Sequence, residues 1–293
     1  MDPLALLPYA LAAAGGRVGA NEVTALVAAG VTLLQRSAPL VRALAGRRAA
    51  ALLPAGVALP VALAASDGRG LVLLEADDEG PIARESLDAL QVGAVFTTSA
   101  LAGRLPPDLP RVLLEHAPQR ATVVIDGREW DVDLGSHFGI DLMGDLSGPG
   151  ALEECVLFAR SGERQTHEAV YRTARAAMGV LHCTPVDRTL ALVPLTEPRG
   201  FASAFVAPLL AGGLLRVADA SHATVASRAL AAWDATIVIM TPTLAPSLLP
   251  LAGLRREEGR PVKRWVVMDD GSAPARAAID EAAAKAGVRL DWV

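Results

Sequence analysis

The stretch Glu154–Arg172, ECVLFARSGERQTHEAVYR, says most about the fold. Its apolar run Cys155–Phe158 predicts a buried strand, and Ala159–Gln165 predicts a short loop. An amphipathic helix is expected from Thr166, a residue type that commonly caps helices. In α/β proteins, a loop between the carboxyl end of a strand and a helix N-terminus is a common anion site. This loop holds one glycine, Gly162, and no lysine, so its position favours a nucleotide site and its composition does not.

The sequence that follows alternates strand and helix patterns, which predicts parallel strands joined by right-handed crossovers. The expected strands are Thr189–Pro194, Leu214–Val217, Thr236–Met240, Trp265–Met268 and Val288–Trp292. The expected helices are Phe201–Leu210, Ala223–Trp233, Leu244–Leu251 and Pro274–Ala286. This pattern is typical of a layered βα subdomain.

The sequence before the stretch mixes the same pattern with one antiparallel element. Asp126 and Gly127 favour the positive φ angles of a tight turn, so Thr122–Ile125 and Arg128–Val132 are expected to form a hairpin. The remaining patterns predict helices over Val23–Ala45, Val57–Ala65 and Ile82–Leu90, and strands over Ala49–Leu53, Gly70–Glu75, Gly93–Thr97 and Arg111–Glu115.

The segment Gly144–Gly150, GDLSGPG, has the composition of a linker. It predicts a boundary between two subdomains, residues 1–150 and residues 151–293, the second of which would carry the loop. The expected fold class is therefore α/β, built from two layered βα subdomains with an antiparallel hairpin in the first half.

Composition narrows the function classes. The 293 residues are 52% hydrophobic and 20% charged, with a net charge of −5 and no basic block, which argues against nucleic-acid binding. No apolar run reaches the roughly 18–20 residues of a membrane span. Cys155 and Cys183 sit in apolar runs, so free thiols and a reducing compartment, the cytoplasm, are expected. Metal-ligand spacings are lacking, and the four tryptophans, such as Trp130 and Trp265, are expected in the core.

Several segments resemble the adenylate-forming superfamily of acyl-CoA synthetases and AMP-dependent ligases. Pro194–Gly213, PLTEPRGFASAFVAPLLAGG, is similar to a stretch that begins with proline and ends PLxxG in that family. Ile237–Leu249, IVIMTPTLAPSLL, resembles the segment where a strand runs into a threonine/proline turn and a helix. Trp265–Val293 resembles the strand, S-G-G-A-P turn, helix and following strand, and Leu52–Ser66 resembles an early strand–proline–helix unit. The resemblance implies the fold of the large N-terminal domain of these enzymes.

The same resemblance places Glu154–Arg172 at the family's phosphate loop. That loop reads close to T-S-G-T-T-G-x-P-K, or S-G-S-T-G-E-P-Q followed by a Lys-Thr-Trp cluster in one branch. ARSGERQTHEAVY is similar to the second form but two residues shorter, and Ala169 stands where that branch keeps its lysine. The shorter loop therefore lacks several amide and hydroxyl donors as well as the lysine. Because losing one preorganised donor costs about 3 kcal/mol of transition-state stabilisation, little adenylation is expected.

Two further departures concern the nucleotide. Thr196 and Glu197 stand where the family often has an aromatic residue and a histidine, and Asp269–Pro274, DDGSAP, replaces S-G-G-A-P. Two carboxylates there would repel a phosphate, bind Mg²⁺, or cap the following helix. The nucleotide-binding residues that the resemblance implies are Ser161, Gly162, Arg164, Gln165, Thr166, Gly271, Ser272, Ala273 and Pro274. Without the resemblance, Ser161–Gly162 and Arg164 are more simply explained as an ordinary βα turn with a solvated arginine.

The function implied is that of an ATP- and Mg²⁺-dependent ligase that joins an acyl or aryl acid to CoA or a carrier protein through acyl-AMP. The chain ends at Val293, before the expected Tyr-Gly-x-Thr-Glu motif and the C-terminal domain with its catalytic lysine. A truncated synthetase-like protein with little or no autonomous adenylation is therefore expected, and no catalytic or metal-binding residue is assigned. The alternatives are a non-catalytic interaction subunit and one chain of a split ligase that a partner chain completes.

Overall fold

A computed structural model describes residues 6–54, 56–66, 69–76, 80–135, 153–218, 222–259, 261–269 and 273–293. The chain divides into two compact units. The first comprises Met1–Gly15 and Ala20–Tyr171, and the second comprises Gly16–Gly19 and Arg172–Val293.

The first unit is built on an eight-stranded sheet. Its strands are β3 (Arg48–Ala51), β4 (Leu71–Leu73), β5 (Val92–Thr97), β6 (Arg111–Leu113), β7 (Arg120–Ile125), β8 (Arg128–Asp133), β9 (Glu154–Phe158) and β10 (Arg164–Thr166), in the order β10-β9-β4-β3-β5-β6-β7-β8. The central strands from β9 to β6 pair in parallel, and an antiparallel hairpin closes each edge.

Six helices accompany these strands in the chain. They are α1 (Leu7–Ala14), α2 (Val23–Arg36), α3 (Ala38–Ala43), α4 (Ala58–Ala65), α5 (Arg84–Ala89) and α6 (Ser99–Ala102). The predicted helix Val23–Ala45 is interrupted at Ser37, whose hydroxyl accepts a hydrogen bond from the amide of Leu40 at 3.4 Å and caps α3. Gly30 lets α2 approach α4 closely, because a Cβ there would lie 2.4 Å from the carbonyl oxygen of Val61.

The second sheet has seven strands. They are β1 (Arg17–Val18), β2 (Asn21–Glu22), β11 (Arg188–Leu192), β12 (Leu214–Val217), β13 (Ile237–Met240), β14 (Arg264–Val267) and β15 (Leu290–Trp292), in the order β15-β14-β13-β11-β12-β1-β2. All five pairings from β15 to β1 are parallel. Because β12 and β13 lie on opposite sides of β11, the sheet is doubly wound, with its switch point between β11 and β13.

The helices of this half are α7 (His167–Leu181), a π-helix (Gly200–Val206), α8 (Ala207–Leu210), α9 (Ala223–Ala232), α10 (Ala245–Leu248), α11 (Leu251–Glu257) and α12 (Ala273–Ala286). The predicted helix Phe201–Leu210 thus begins as a π-helix, and the predicted helix Leu244–Leu251 is two short helices. None of the helices in the described part of the chain combines the length and apolar character needed to cross a membrane.

The expected fold class is confirmed. The unit to which the loop after β9 belongs differs from the one expected. The predicted linker Gly144–Gly150 lies outside the described residues. Within them, β9 pairs with β4 of the first sheet, through Leu71 opposite Val156. The loop after β9 therefore belongs to the first unit, and the division falls inside α7, between Tyr171 and Arg172.

Trp265 is buried in the core of the second sheet, as expected. Trp130 is not a core residue: it lies on the outer strand β8 with 37% of its surface exposed. An edge strand is covered on fewer sides than a central one, so an aromatic residue there remains partly in solvent.

Candidate functional site

The predicted phosphate loop is the turn of a tight hairpin. β10 runs back along β9, with Arg164 opposite Leu157. The predicted loop Ala159–Gln165 is therefore shorter in the structure, because its last two residues belong to β10. Gly162 has φ 69° and donates its amide N–H to the carbonyl oxygen of Phe158 at 2.8 Å. The hydroxyl oxygen of Ser161 accepts from the amide of Glu163 at 3.3 Å. The amide of Gly162 is therefore used within the turn, whereas a phosphate loop directs such amides at its ligand.

The arginines of the hairpin are paired with carboxylates. Nη1 of Arg160 lies 3.2 Å from Oε1 of Glu75, which follows the neighbouring strand β4. Nε of Arg164 lies 3.7 Å from Oε2 of Glu154. Glu154 is also held by Arg48, whose Nε and Nη2 lie 2.5 and 3.1 Å from its two oxygens. Each of these three arginines therefore has a carboxylate partner within the same unit, and Glu154 is shared by two of them.

Gly70 makes room for this ion pair. Its φ is 92°, a backbone conformation that favours glycine, and a Cβ there would lie 2.5 Å from Oε1 of Glu154. This role could not be predicted from local sequence patterns, because it depends on which strands become neighbours in the sheet.

The start of α7 is capped as predicted. The hydroxyl oxygen of Thr166 accepts from the amide of Ala169 at 3.1 Å. The next residue, His167, is only 2% exposed, and its Nδ1 accepts from the amide of Leu7 at 3.1 Å. An imidazole nitrogen that accepts carries no proton, so this histidine has its proton on Nε2 when neutral. Sequence reasoning missed this link, which joins residues 160 positions apart.

Gln165 lies between the arginines and the helix. Its Nε2 donates to Oε1 of Glu163 at 2.8 Å, while its Oε1 is buried and has no hydrogen-bond partner among the described residues. Ser161, Gly162, Arg164, Gln165 and Thr166 thus lie on one hairpin, and their assignment to a nucleotide site stays a prediction.

The second half of the predicted site is described only in part. Gly271 and Ser272 lie outside the described residues, as does Asp270, and Ala273 and Pro274 form the first turn of α12. Their assignment to a nucleotide site therefore stays a prediction.

Asp269, the last described residue before this turn, is held by its neighbours. Its amide donates to the carbonyl oxygen of Val293 at 2.8 Å, and Oδ2 lies 3.7 Å from Nη1 of Arg276. Nη1 of Arg199, from the segment after β11, donates to its carbonyl oxygen at 3.2 Å. This places an arginine at the switch point of the second sheet, where ligands of doubly wound folds bind.

The two cysteines are free and are not suited to nucleophilic chemistry. Burial raises the pKa of the Cys155 thiol far above its ordinary range. Burial and the negative charge of Asp187 raise the pKa of Cys183 to about 12. Both thiols are therefore protonated near neutral pH, and the thiolate is the reactive form.

The Mg²⁺ that the family resemblance implies has no ready-made site in the described part of the chain. No group of three or more His, Cys, Asp or Glu side chains is placed there to hold a metal ion. We therefore assign no residue to a metal.

No family model matches the sequence, and no curated protein matches it. Solved structures do match. A nonribosomal peptide synthetase, FmoA3, gives a TM-score of 0.72 at 17% identity, over 99% of this chain and 31% of that chain. A benzoate CoA ligase from Burkholderia xenovorans LB400 gives 0.68 at 16% identity, over 98% of this chain and 60% of that one. The anthranilate CoA ligase AuaEII, in complex with anthranoyl-AMP, gives 0.69 at 16% identity, over 99% and 58%.

These likenesses extend over almost the whole chain and establish its fold. It is the α/β fold of the N-terminal domain of adenylate-forming enzymes, as the resemblance implied. The chain spans about a third of the length of the peptide synthetase and about three fifths of each CoA ligase.

Proposed function

We propose that this chain is an AMP-binding, acyl-CoA synthetase-like protein that holds an adenylate and performs little or no adenylation on its own. The function from which it descends would be ATP-dependent activation of an acyl or aryl carboxylic acid. Support comes from the shared fold, since similar structures hold AMPPNP, anthranoyl-AMP or ATP. The doubly wound second sheet also offers a switch point at which such folds bind ligands.

The observation that carries the proposal is the neutralised hairpin turn. Arg160 and Arg164 pair with Glu75 and Glu154, and the amide of Gly162 is used inside the turn. A triphosphate would have to compete with these internal partners. We therefore expect the β- and γ-phosphates of ATP to gain little from this loop.

Nucleotide affinity tests the first part of the proposal. Isothermal titration calorimetry with AMP, ATP and a non-hydrolysable acyl-AMP analogue should show AMP and the analogue binding at least as tightly as ATP. Each ligand that binds should also raise the melting temperature, because binding to the folded state stabilises it. Binding of ATP more than about tenfold tighter than AMP, roughly 1.4 kcal/mol, would contradict the account of the loop. Absence of any binding at millimolar ligand would contradict nucleotide binding altogether.

ATP–pyrophosphate exchange with a panel of aliphatic and aromatic acids tests the second part. We expect exchange near background for this chain, beside clear exchange for a benzoate CoA ligase in the same assay. Exchange well above background with any acid would overturn the assignment of little autonomous adenylation, and it would identify the acid class.

A second candidate function is that of a subunit completed by a partner chain. It is favoured by β15, which is the edge of its sheet and pairs with β14 on one side. An edge strand presents backbone donors and acceptors that another strand can use. Under this proposal, a neighbouring reading frame encodes the Tyr-Gly-x-Thr-Glu motif and the catalytic lysine, and co-expression with it raises ATP–pyrophosphate exchange. An unchanged exchange rate after co-expression would contradict it.

A further inference from the structure

The carboxyl edge of the second sheet gathers donor groups around its switch point. β11, β13 and β14 run in register, with Leu192 beside Met240 and Met240 beside Val267. Neighbouring strands are about 4.8 Å apart, so β13 lies in the middle, with β11 on one side and β14 on the other. Residues that follow these strands therefore meet at one edge.

Arg199 bridges this edge. It belongs to the segment that leaves β11, yet its Nη1 donates to the carbonyl oxygen of Asp269, which follows β14. The side chain and the segment that carries it therefore span the distance across the carboxyl end of β13. Doubly wound sheets bind their ligands at this carboxyl edge, beside the switch point.

The backbone beside Arg199 is fixed, while its side chain is exposed. Gly200 is buried, and a Cβ there would lie 2.1 Å from the carbonyl oxygen of Pro194, so only glycine fits. The amide of Phe201 donates to the carbonyl oxygen of Glu197 at 2.9 Å and leads into the buried π-helix. Arg199 itself is exposed, so a rigid base presents a guanidinium to solvent.

Unused donors remain at this edge. A guanidinium has five N–H donors, and within the described residues the side chain of Arg199 makes one hydrogen bond, that to Asp269. The hydroxyl oxygens of Thr241 and Thr243, which follow β13, lie 3.1 Å apart. When one of these hydroxyls donates to the other, the hydrogen of the second is left for a ligand.

The charges at this edge are mixed. The carboxylate of Asp269 is paired with Arg276, and Glu197 is exposed next to the segment. Within the part of the chain that the structure describes, the partner of the Arg199 side chain is a backbone carbonyl, that of Asp269. Guanidinium groups bind carboxylates and phosphates through two parallel hydrogen bonds.

We propose that Arg199, assisted by Thr241 and Thr243, is the oxyanion-binding residue of this switch point. The charged group that it binds is the phosphate or the carboxylate of the ligand; only the identity of that ligand rests on the proposed function.

The test compares Arg199→Gln with Arg228→Gln. Arg228 is exposed on α9 of the same unit, so both variants change the net charge equally. Calorimetry would measure binding of AMP, adenosine, inorganic phosphate and benzoate, and thermal unfolding would verify that each variant is folded. Thr243→Val removes an exposed hydroxyl and gives a second, milder probe of the same edge.

We expect Arg199→Gln to weaken the affinity for an oxyanion roughly tenfold to a hundredfold, the range for hydrogen bonds to a charged group. Arg228→Gln should bind every probe as the unchanged protein does. Selective loss of AMP and phosphate binding, with adenosine unaffected, would identify the phosphate as the bound group. Selective loss of benzoate binding would identify the carboxylate.

Two results would overturn the proposal. One is equal affinities of Arg199→Gln and Arg228→Gln for every probe, and the other is failure of the unchanged protein to bind any oxyanion at millimolar concentration. If phosphate or benzoate binds through Arg199 while adenosine and AMP do not bind, the oxyanion site stands and the proposed nucleotide function fails.

Discussion

At the scale of single residues, the charge available in the hairpin turn is set by its ion-pair partners. The side chain of Arg160 is 70% exposed, and that of its partner Glu75 is 20% exposed. The main chain at Glu75 is fixed independently, because Nη1 of Arg104 donates to the carbonyl oxygens of Glu75 and Ala76 at 3.2 and 2.8 Å. The position of Glu75 therefore does not depend on Arg160. Its carboxylate pairs with an arginine that would otherwise be available to a phosphate.

Replacing Glu75 should release that arginine. In Glu75→Gln we expect the affinity for ATP and pyrophosphate to rise about twofold to fivefold, since exposed ion pairs contribute at most about 1 kcal/mol. Glu85→Gln, which removes an exposed carboxylate on α5, should bind as the unchanged protein does. Equal affinities of the two variants, measured by calorimetry, would show that the pair does not limit phosphate binding.

At the scale of elements, one aspartate joins the amino ends of three strands. Asp187, just before β11, accepts from the amide and hydroxyl of Thr184 and, at 2.9 Å, from the hydroxyl of Thr236, just before β13. Nζ of Lys263, just before β14, lies 3.7 Å from Oδ1. Burial acts to raise the pKa of Asp187, but the hydrogen bonds and the lysine outweigh it, and the pKa is lowered.

This lowered pKa predicts how stability depends on pH. A carboxyl group whose pKa is lower in the folded state stabilises the fold above its unfolded pKa of about 3.9, and the contribution is lost as the pH falls through the folded value. Asp187→Asn should therefore lose about 1–3 kcal/mol in urea unfolding near pH 7. The deficit relative to the unchanged protein should shrink below about pH 4. A deficit that stays constant down to pH 3 would show that the charge of Asp187 is unimportant.

The close packing of α2 on α4 depends on the glycine at position 30, and two matched glycine-to-alanine variants can test this. Gly30→Ala should force α2 away from Val61 of α4 and destabilise the protein by about 1–3 kcal/mol. Gly179→Ala, at an exposed position of α7 with open space around it, should instead stabilise by about 0.4–1 kcal/mol. Urea unfolding measures both, and changes of the same sign would contradict the packing argument.

At the scale of the whole molecule, the features that the sequence predicted are those determined by neighbouring residues. Asp126 and Gly127 have φ angles of 51° and 72° and form the expected hairpin turn. The Thr166 cap likewise depends on three residues that follow it. By contrast, the contact between Arg160 and Glu75 joins residues 85 positions apart and depends on β9 lying beside β4. A local pattern carries no information on that pairing, so the neutralised turn could not be predicted.

The assignment of β9 to the first sheet gives a prediction for fragments. Val156, Leu157 and Phe158 are buried, and burying three such side chains contributes roughly 5–9 kcal/mol as an upper estimate. That is comparable to the whole stability of a domain, about 5–15 kcal/mol. We therefore expect the fragment 1–150 to unfold without a cooperative urea transition and the fragment 1–171 to show one. Leu157→Asp in the longer fragment should abolish the transition, since burial rather than length is the cause. A cooperative transition of equal midpoint in fragment 1–150 would mean that the first sheet does not need β9.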